Sequence, residues 1–229
     1  MADLLRSLSD MQVAPDGWAP SDVDIVGPEV VRLGGRIPVR FVTKDPDPDW
    51  VARRRNARIE KDKARAARLL RVGLGEFDAL YSAAEARLRD SLLAFGGWDA
   101  ISPSLDRDLP RIIERGFLIP GAGAGFRKGK PCSCHQNSIR AWEVDRANVA
   151  VMTGLALSED GFWREHSWHA RKGPRKIRII ETTVSRVAYF GYVRRPEESA
   201  EMLADDGADQ VALLKAIGSE LARVLGPRV

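Results

Sequence analysis

Reactive residues are scarce in this 229-residue chain, which has three histidines and two cysteines. Cys132, Cys134, His135, His166 and His169 all fall in one stretch, so thiol, imidazole or metal chemistry has only that stretch to work with. Two cysteines cannot make a disulfide framework, and a bridge across the single residue between Cys132 and Cys134 would be strained. Both are expected as free thiols of a reducing compartment. No run approaches the ~18 consecutive apolar residues that read as a membrane span. Residues 1–11 also lack the apolar core of a signal peptide, so a cytoplasmic protein without membrane contact is expected. Aromatic residues are few, at 7%, yet 44% apolar and 30% charged residues are ordinary for a globular chain, which excludes a fibrous repeat and a wholly disordered one.

An excess of charge is nearly missing too, with 36 basic residues against 32 acidic ones and a net charge of +4. Residues 51–71 alone carry nine basic side chains against Glu60 and Asp62, a net +7 that leaves the rest of the chain at −3. The basic character is therefore local. It belongs to one helix-forming segment, read as a solvated face and as a candidate contact for an acidic partner or nucleic acid. No aromatic residues are interleaved there to stack on bases.

Proline and glycine punctuate residues 1–28, which read as loop. Gly34-Gly35 between apolar runs predicts a hairpin over 30–42, and Asp47 or Asp49 is placed to cap the basic helix. Phe77, Leu80, Ala84, Leu88 and Leu92 form a helical stripe over 76–95, followed by a short helix at 109–115. The glycine-rich stretch 120–131 lacks the Lys-Ser/Thr ending of a phosphate-binding loop and reads as a flexible access loop. A helix is predicted over 133–145, then strands over 149–157, 161–170, 176–183 and 184–193, separated by hairpin-length turns at 159–161 and 172–174. Beyond a polar tail from Glu197, a last amphipathic helix begins near Gln210. The expected class is α+β, with a helical N-terminal region, 1–118, and a region 119–229 that combines a helix-start cysteine with an antiparallel sheet.

A thiol becomes a strong nucleophile as thiolate, and the first turn of a helix favours that anion. Cys134 stands where such a turn begins, and its backbone N–H could serve as an oxyanion donor. His166, on a later strand, is the candidate base, and Glu181, across a hairpin, is the candidate acceptor for the second imidazole nitrogen. Gln136 and Asn137 are candidate oxyanion or substrate contacts, and Trp168 a candidate shield for His166. His169 has the opposite strand parity to His166 and is expected on the other face. His135, adjacent to the nucleophile, is either part of the site or an ordinary helix residue.

These residues resemble the transglutaminase-like cysteine enzymes of the broader papain-like group. The resemblance runs over about 60 residues through Cys134, then Val149-Ala150-Val151-Met152-Thr153-Gly154-Leu155, then His166-Ser167-Trp168, then Glu181-Thr182-Thr183. It implies a papain-like core, Cys134 as nucleophile, His166 as base and Glu181 in the place of the family's aspartate. Thr182 stands where the family has proline, and Cys132 is a competing thiol. The implied activity is amide chemistry on a peptide or protein substrate, by hydrolysis, deamidation or cross-linking, with no cofactor. A rival reading uses Cys132, Cys134, His135 and either His166 or His169 as zinc ligands, although Cys-x-Cys-His is tighter than the usual spacing of roughly two to four residues. A third reading is a catalytically inactive interaction protein acting through its N-terminal helices.

Overall fold

The computed structural model describes residues 41–101, 107–173, 177–202 and 210–226. The leader and most of the 30–42 hairpin lie outside these residues. Phe41 is described, and it forms a parallel bridge with Gly96.

Helix α1, Pro48–Arg71, begins as its sequence dictates. Asp47 accepts the N–H of Asp49 at 2.9 Å, and Pro48 occupies a first-turn position where no N–H is needed. Helix α2, Gly75–Phe95, buries Phe77, Tyr81, Ala84, Leu88, Leu92 and Phe95. Tyr81 takes the place in the buried stripe expected for Leu80, because the spacing of three and four residues runs from Phe77 through Tyr81 to Ala84. Strand β1, Asp99–Ile101, helix α3, Leu109–Arg115, and strand β2, Phe117–Pro120, follow. The glycine-rich stretch is more ordered than expected, for it contains a 3-10 turn, Gly121–Gly123, and strand β3, Gly125–Phe126. Then come α4, Cys134–Val144, β4, Val149–Leu157, β5, Phe162–Lys172, β6, Ile177–Glu181, and β7, Ala188–Val193. A short helix α5, Pro196–Glu201, interrupts the expected polar tail, and α6, Gln210–Leu225, closes the chain.

The strands form one curled, half-barrel sheet in the order β2-β7-β4-β5-β6-β3, so the fold is α+β. Strand β1 runs parallel to the first part of β5, while β6 pairs antiparallel with its last part. The expected hairpins β4–β5 and β5–β6 are present. Strand β7, however, is not the neighbour of β6. It crosses to the far side of β4, with Gly154 opposite Gly191, and this placement depends on long-range pairing that no local turn signal encodes.

All nine residues of β4 are buried, because both faces of the sheet are covered. Val149 and Val151 pack against Ile139 and Trp142 of α4. Leu155 and Leu157 join Phe77, Leu88 and Leu92 of α2 and Ile217 and Leu221 of α6 in one apolar cluster. On the other face, Ala150, Met152 and Ala156 pack with Trp168, Ile179 and Tyr189. Each fully buried large apolar side chain contributes roughly 1.5–3 kcal/mol, so the N-terminal helices and the sheet stabilise each other through a shared core. A division between 118 and 119 would cut through β2 and separate residues of that one cluster.

The basic helix is also less free than its composition suggests. Arg65 is buried and donates to Asp78 at 2.9 Å, Ser82 at 3.0 Å and Glu85 at 2.9 Å, riveting α1 to α2. Arg58 reaches Asp99 at 2.6 Å, where Arg89 also donates at 2.7 Å. Composition alone could not separate these inward cations from Arg55, Arg68 and Arg71, which remain exposed. Replacing Arg65 with alanine is expected to lower the unfolding free energy by about 3 kcal/mol, the cost of stranding partners of a buried ion pair. Arg68→Ala should change it by less than about 0.5 kcal/mol. Urea unfolding followed by tryptophan fluorescence checks both, and an Arg65→Ala protein as stable as its parent would show that the rivet is dispensable.

Candidate active site

The segment that delivers Cys134 is fixed from two sides. The N–H groups of Arg127 and Gly129 donate to the carbonyls of Glu181 and Thr182, both at 2.8 Å, which extends the β3–β6 pairing beyond the strands. Asn137 then ties the loop to α4, since its Oδ1 accepts the N–H of Lys130 at 3.1 Å and its Nδ2 donates to the Lys130 carbonyl at 2.9 Å. A Cβ on residue 129 would come within 2.5 Å of the Asn137 amide, so any larger residue here would push that amide off its bonds to Lys130. The chain then turns through Cys132, with a left-handed φ of 53°, and enters α4 at Cys134. Ser133 makes no side-chain cap bond to the helix; its hydroxyl donates to the carbonyl of Pro131 instead. The first-turn N–H groups of α4 therefore have no side-chain cap, and the helix start favours an anion.

His166 lies on β5 opposite Gly154. The β5–β6 register, with His169 opposite Ile180, brings Glu181 beside Trp168 on the same face as His166. His166 Nε2 and Glu181 Oε2 are 2.8 Å apart, and both residues are almost wholly buried. Glu181 is saturated with donors. Its Oε2 also accepts the Tyr189 hydroxyl at 3.0 Å, and its Oε1 accepts the N–H groups of Thr182 and Thr183 at 2.8 and 2.7 Å and the Thr183 hydroxyl at 2.9 Å. Burial pushes this carboxyl up, but the bonds from His166 and Thr183 outweigh it and hold the group at about 2, so it stays ionised. The ring of Trp168 stacks near His166 at a centroid distance of 6.1 Å, and that of Tyr189 at 6.4 Å. With Nε2 engaged, Nδ1 is the nitrogen left for the thiol.

Cys134 sits between two imidazoles. Burial raises its pKa, yet hydrogen bonding to His135 and His166 more than compensates and brings the thiol down to about 5. Burial disfavours protonation of His166, but its bonds to Cys134 and Glu181 raise its pKa overall. The bond to Cys134 is the main cause that raises His135 as well. At neutral pH the three groups therefore favour a thiolate beside imidazolium. Cys132, by contrast, is exposed on its turn.

The structure brings Cys134, His166 and Glu181 into one cluster. Trp168 is fully buried on the sheet face that carries His166, as a wall of the site. Gln136 is exposed on the first turn of α4, and the amide of Asn137 is engaged by Lys130 and, at 3.5 Å, by the Thr182 hydroxyl. His169 is also buried, although its parity places it away from His166. The described residues contain no group of three His, Cys, Asp or Glu side chains that could hold a metal ion, so the zinc reading has no ligand set there.

Sequence reasoning left His135 undecided and missed the residues that support it. His135 Nδ1 lies 2.7 Å from Ser167 Oγ, and Nε2 lies 3.5 Å from Glu165 Oε1. Ser167 in turn contacts the hydroxyl of Thr153 at 3.2 Å, which accepts from buried Arg194 at 2.9 Å. Arg194 is paired with Asp108, which also accepts the Tyr192 hydroxyl at 2.9 Å. Polar residues inside otherwise apolar strands, Thr153 and Ser167 above all, were the available signal. Comparison with protein-family models, with curated proteins and with solved structures finds no match for this chain.

The low thiol value predicts a spectroscopic titration. An ultraviolet thiolate band that is absent from Cys134→Ala should persist at neutral pH and disappear as pH falls through about 5. Because the folded value lies below the ordinary 9.0, the thiolate contributes stability that is complete above that value and is lost as pH falls through about 5. Glu181→Gln removes the anion that holds His166 protonated and should move the midpoint upward. A parent midpoint in the ordinary thiol range would overturn this electrostatic account.

Proposed function

We propose that this protein is a cysteine-dependent amide hydrolase or acyltransferase of the transglutaminase-like, papain-like kind, working with a Cys134-His166-Glu181 triad. The observation that carries the reading is the buried 2.8 Å contact between His166 Nε2 and an ionised Glu181, set beside a thiol held at about 5 at a helix start. A saturated carboxylate, an imidazole oriented by it and a thiol made acidic by that imidazole form a nucleophile-activating set.

In this mechanism the Cys134 thiolate attacks the carbonyl carbon of a peptide or side-chain amide. A C–S bond forms and the carbonyl π pair moves onto oxygen. The open first-turn N–H groups of α4 stabilise that oxyanion, with the exposed Gln136 on the same turn as a further donor. His166 imidazolium then passes its proton to the departing nitrogen as the C–N bond breaks, leaving a thioester. Water or an amine attacks the thioester, His166 takes the incoming proton, and the thiolate is released. Glu181 keeps its charge throughout and fixes which imidazole nitrogen faces the sulfur.

The test uses an activated ester, p-nitrophenyl acetate, and iodoacetamide. A burst of nitrophenolate close to one per chain is expected, together with an intact-mass increase of one acetyl group. Near neutral pH, alkylation of the parent should be faster than that of a free thiol. Cys134→Ala should lose the burst and the fast labelling, while Cys132→Ala keeps both. His166→Ala should slow acylation by a factor of about 100 or more. Acylation that survives in Cys134→Ala would remove the proposal.

A further inference from the structure

Along α4, beginning one turn from Cys134 at Asn137, lies a cleft of about 260 Å³ that the triad does not line. Asn137, Ala141 and Val144 line it, and together with Cys134 they fall at helical spacings of three and four residues, so the cleft runs down the helix stripe that starts at the nucleophile. Its opposite wall is the loop that carries Arg127 and Lys128, and Thr182, next to Glu181, closes the end near the triad.

The lining is strongly cationic. Arg127 and Lys128 reach it from the loop, Arg140 from α4 and Arg171 from β5. Arg171 donates to Asp145 at 2.8 Å. No carboxylate is paired with the other three among the described residues. The buried side of the cleft adds a second, independent observation. His169 is only 2% exposed, yet its Nδ1 is buried without a hydrogen-bond partner. A buried polar nitrogen left unpaired is destabilising, and here the nearest charges are those of Arg171 and Arg127, which cannot accept its proton. An anion entering the cleft would compensate this charge, and a turn of the His169 ring would bring the nitrogen to it.

We propose that this cleft is an oxyanion-binding subsite, recognising a phosphate or carboxylate group on the molecule whose carbonyl is presented to Cys134. That this molecule is the substrate rests on the nucleophile reading above; the binding site itself does not. The loop is a suitable platform because backbone bonds to Glu181 and Thr182 and the Asn137 clamp already fix it, so little ordering is needed when the anion arrives. Burial, then the nearby Arg171 and Arg127, hold His169 neutral, down to about 4, leaving it able to donate one hydrogen bond without adding a like charge to an already cationic site.

The test titrates the full chain at low ionic strength with inorganic phosphate in one arm and glutarate in another, following the His169 ring resonances by NMR and the heat of binding. At least one anion should saturate a single site, move the His169 signals, and bind about tenfold more weakly to Arg127→Ala/Arg140→Ala, whose two truncated side chains are exposed and leave the core untouched. Saturation by phosphate alone assigns a phosphorylated ligand, and saturation by glutarate assigns a carboxylate. If both anions act no better than chloride at equal ionic strength, if the double variant binds them unchanged, or if His169 does not respond, the subsite is refuted. Alkylation separates this outcome from the fate of the nucleophile reading. Relative to neutral iodoacetamide, anionic iodoacetate should label Cys134 faster in the parent than in the double variant. Slow labelling by both reagents with phosphate binding intact would sink the nucleophile and leave the binding site standing.

Discussion

The Glu181 carboxylate is the constraint on which the rest of the site is built. A charge buried to this extent is tolerated only when every lone pair is occupied, and Glu181 meets that demand with His166, Tyr189, two backbone N–H groups and the Thr183 hydroxyl. Each partner comes from a different requirement of the fold. His166 needs β5 beside β6, and Tyr189 needs β7 folded back across β4. Thr182 and Thr183 need the chain to turn immediately after β6. Satisfying one anion therefore fixes the arrangement of the sheet around it. The same anion gives His166 its orientation and charge, and through His166 it lowers the Cys134 thiol.

A second buried polar system supports the other side of the thiol. From His135 it runs through Ser167 and Thr153 to Arg194, and then to Asp108 and Tyr192. Asp108 stands just before α3 and Tyr192 lies on β7, so this chain of bonds links the cysteine turn to elements far from it in sequence. Networks of this kind are favourable only when every member is satisfied, which makes them sensitive to packing elsewhere. The helices at both ends of the chain matter here, because α2 and α6 cover the sheet face bearing Leu155, Phe190 and Tyr192. Arg65 and Asp99 hold α1 in place against that assembly.

Much of the local structure was legible in the residues. The short helix at 109–115 and the strand at 149–157 coincide with the observed elements, and α2, α4 and α6 begin or end within a residue of expectation. Caps, glycine stops and apolar stripes act within a few residues, so a linear reading captures them. Elements of two to four residues, β1, β2 and β3, carry too little periodicity to be seen; they are strands because a partner strand completes their hydrogen bonds. The inward turn of Arg58 and Arg65 was hidden for a related reason. Whether an arginine faces water or a buried carboxylate depends on what packs against its helix, and neither composition nor charge count records that.

The candidate site divides in the same way. By itself the sequence determined that thiol and imidazole chemistry had one location, that Cys134 begins a helix, and that His166 and Glu181 lie on strands joined by a short connection. Those properties follow from residue identity and from torsional preferences that act over a few positions. Tertiary structure alone decided which imidazoles lower the pKa of the thiol, that Tyr189 completes the shell of Glu181, that Asn137 clamps the loop, and that Arg127, Arg140 and His169 share a cleft along α4. The physical reason is that pKa values, buried hydrogen bonds and clefts arise from distances between segments remote in the chain, which exist only once the sheet has closed around its core.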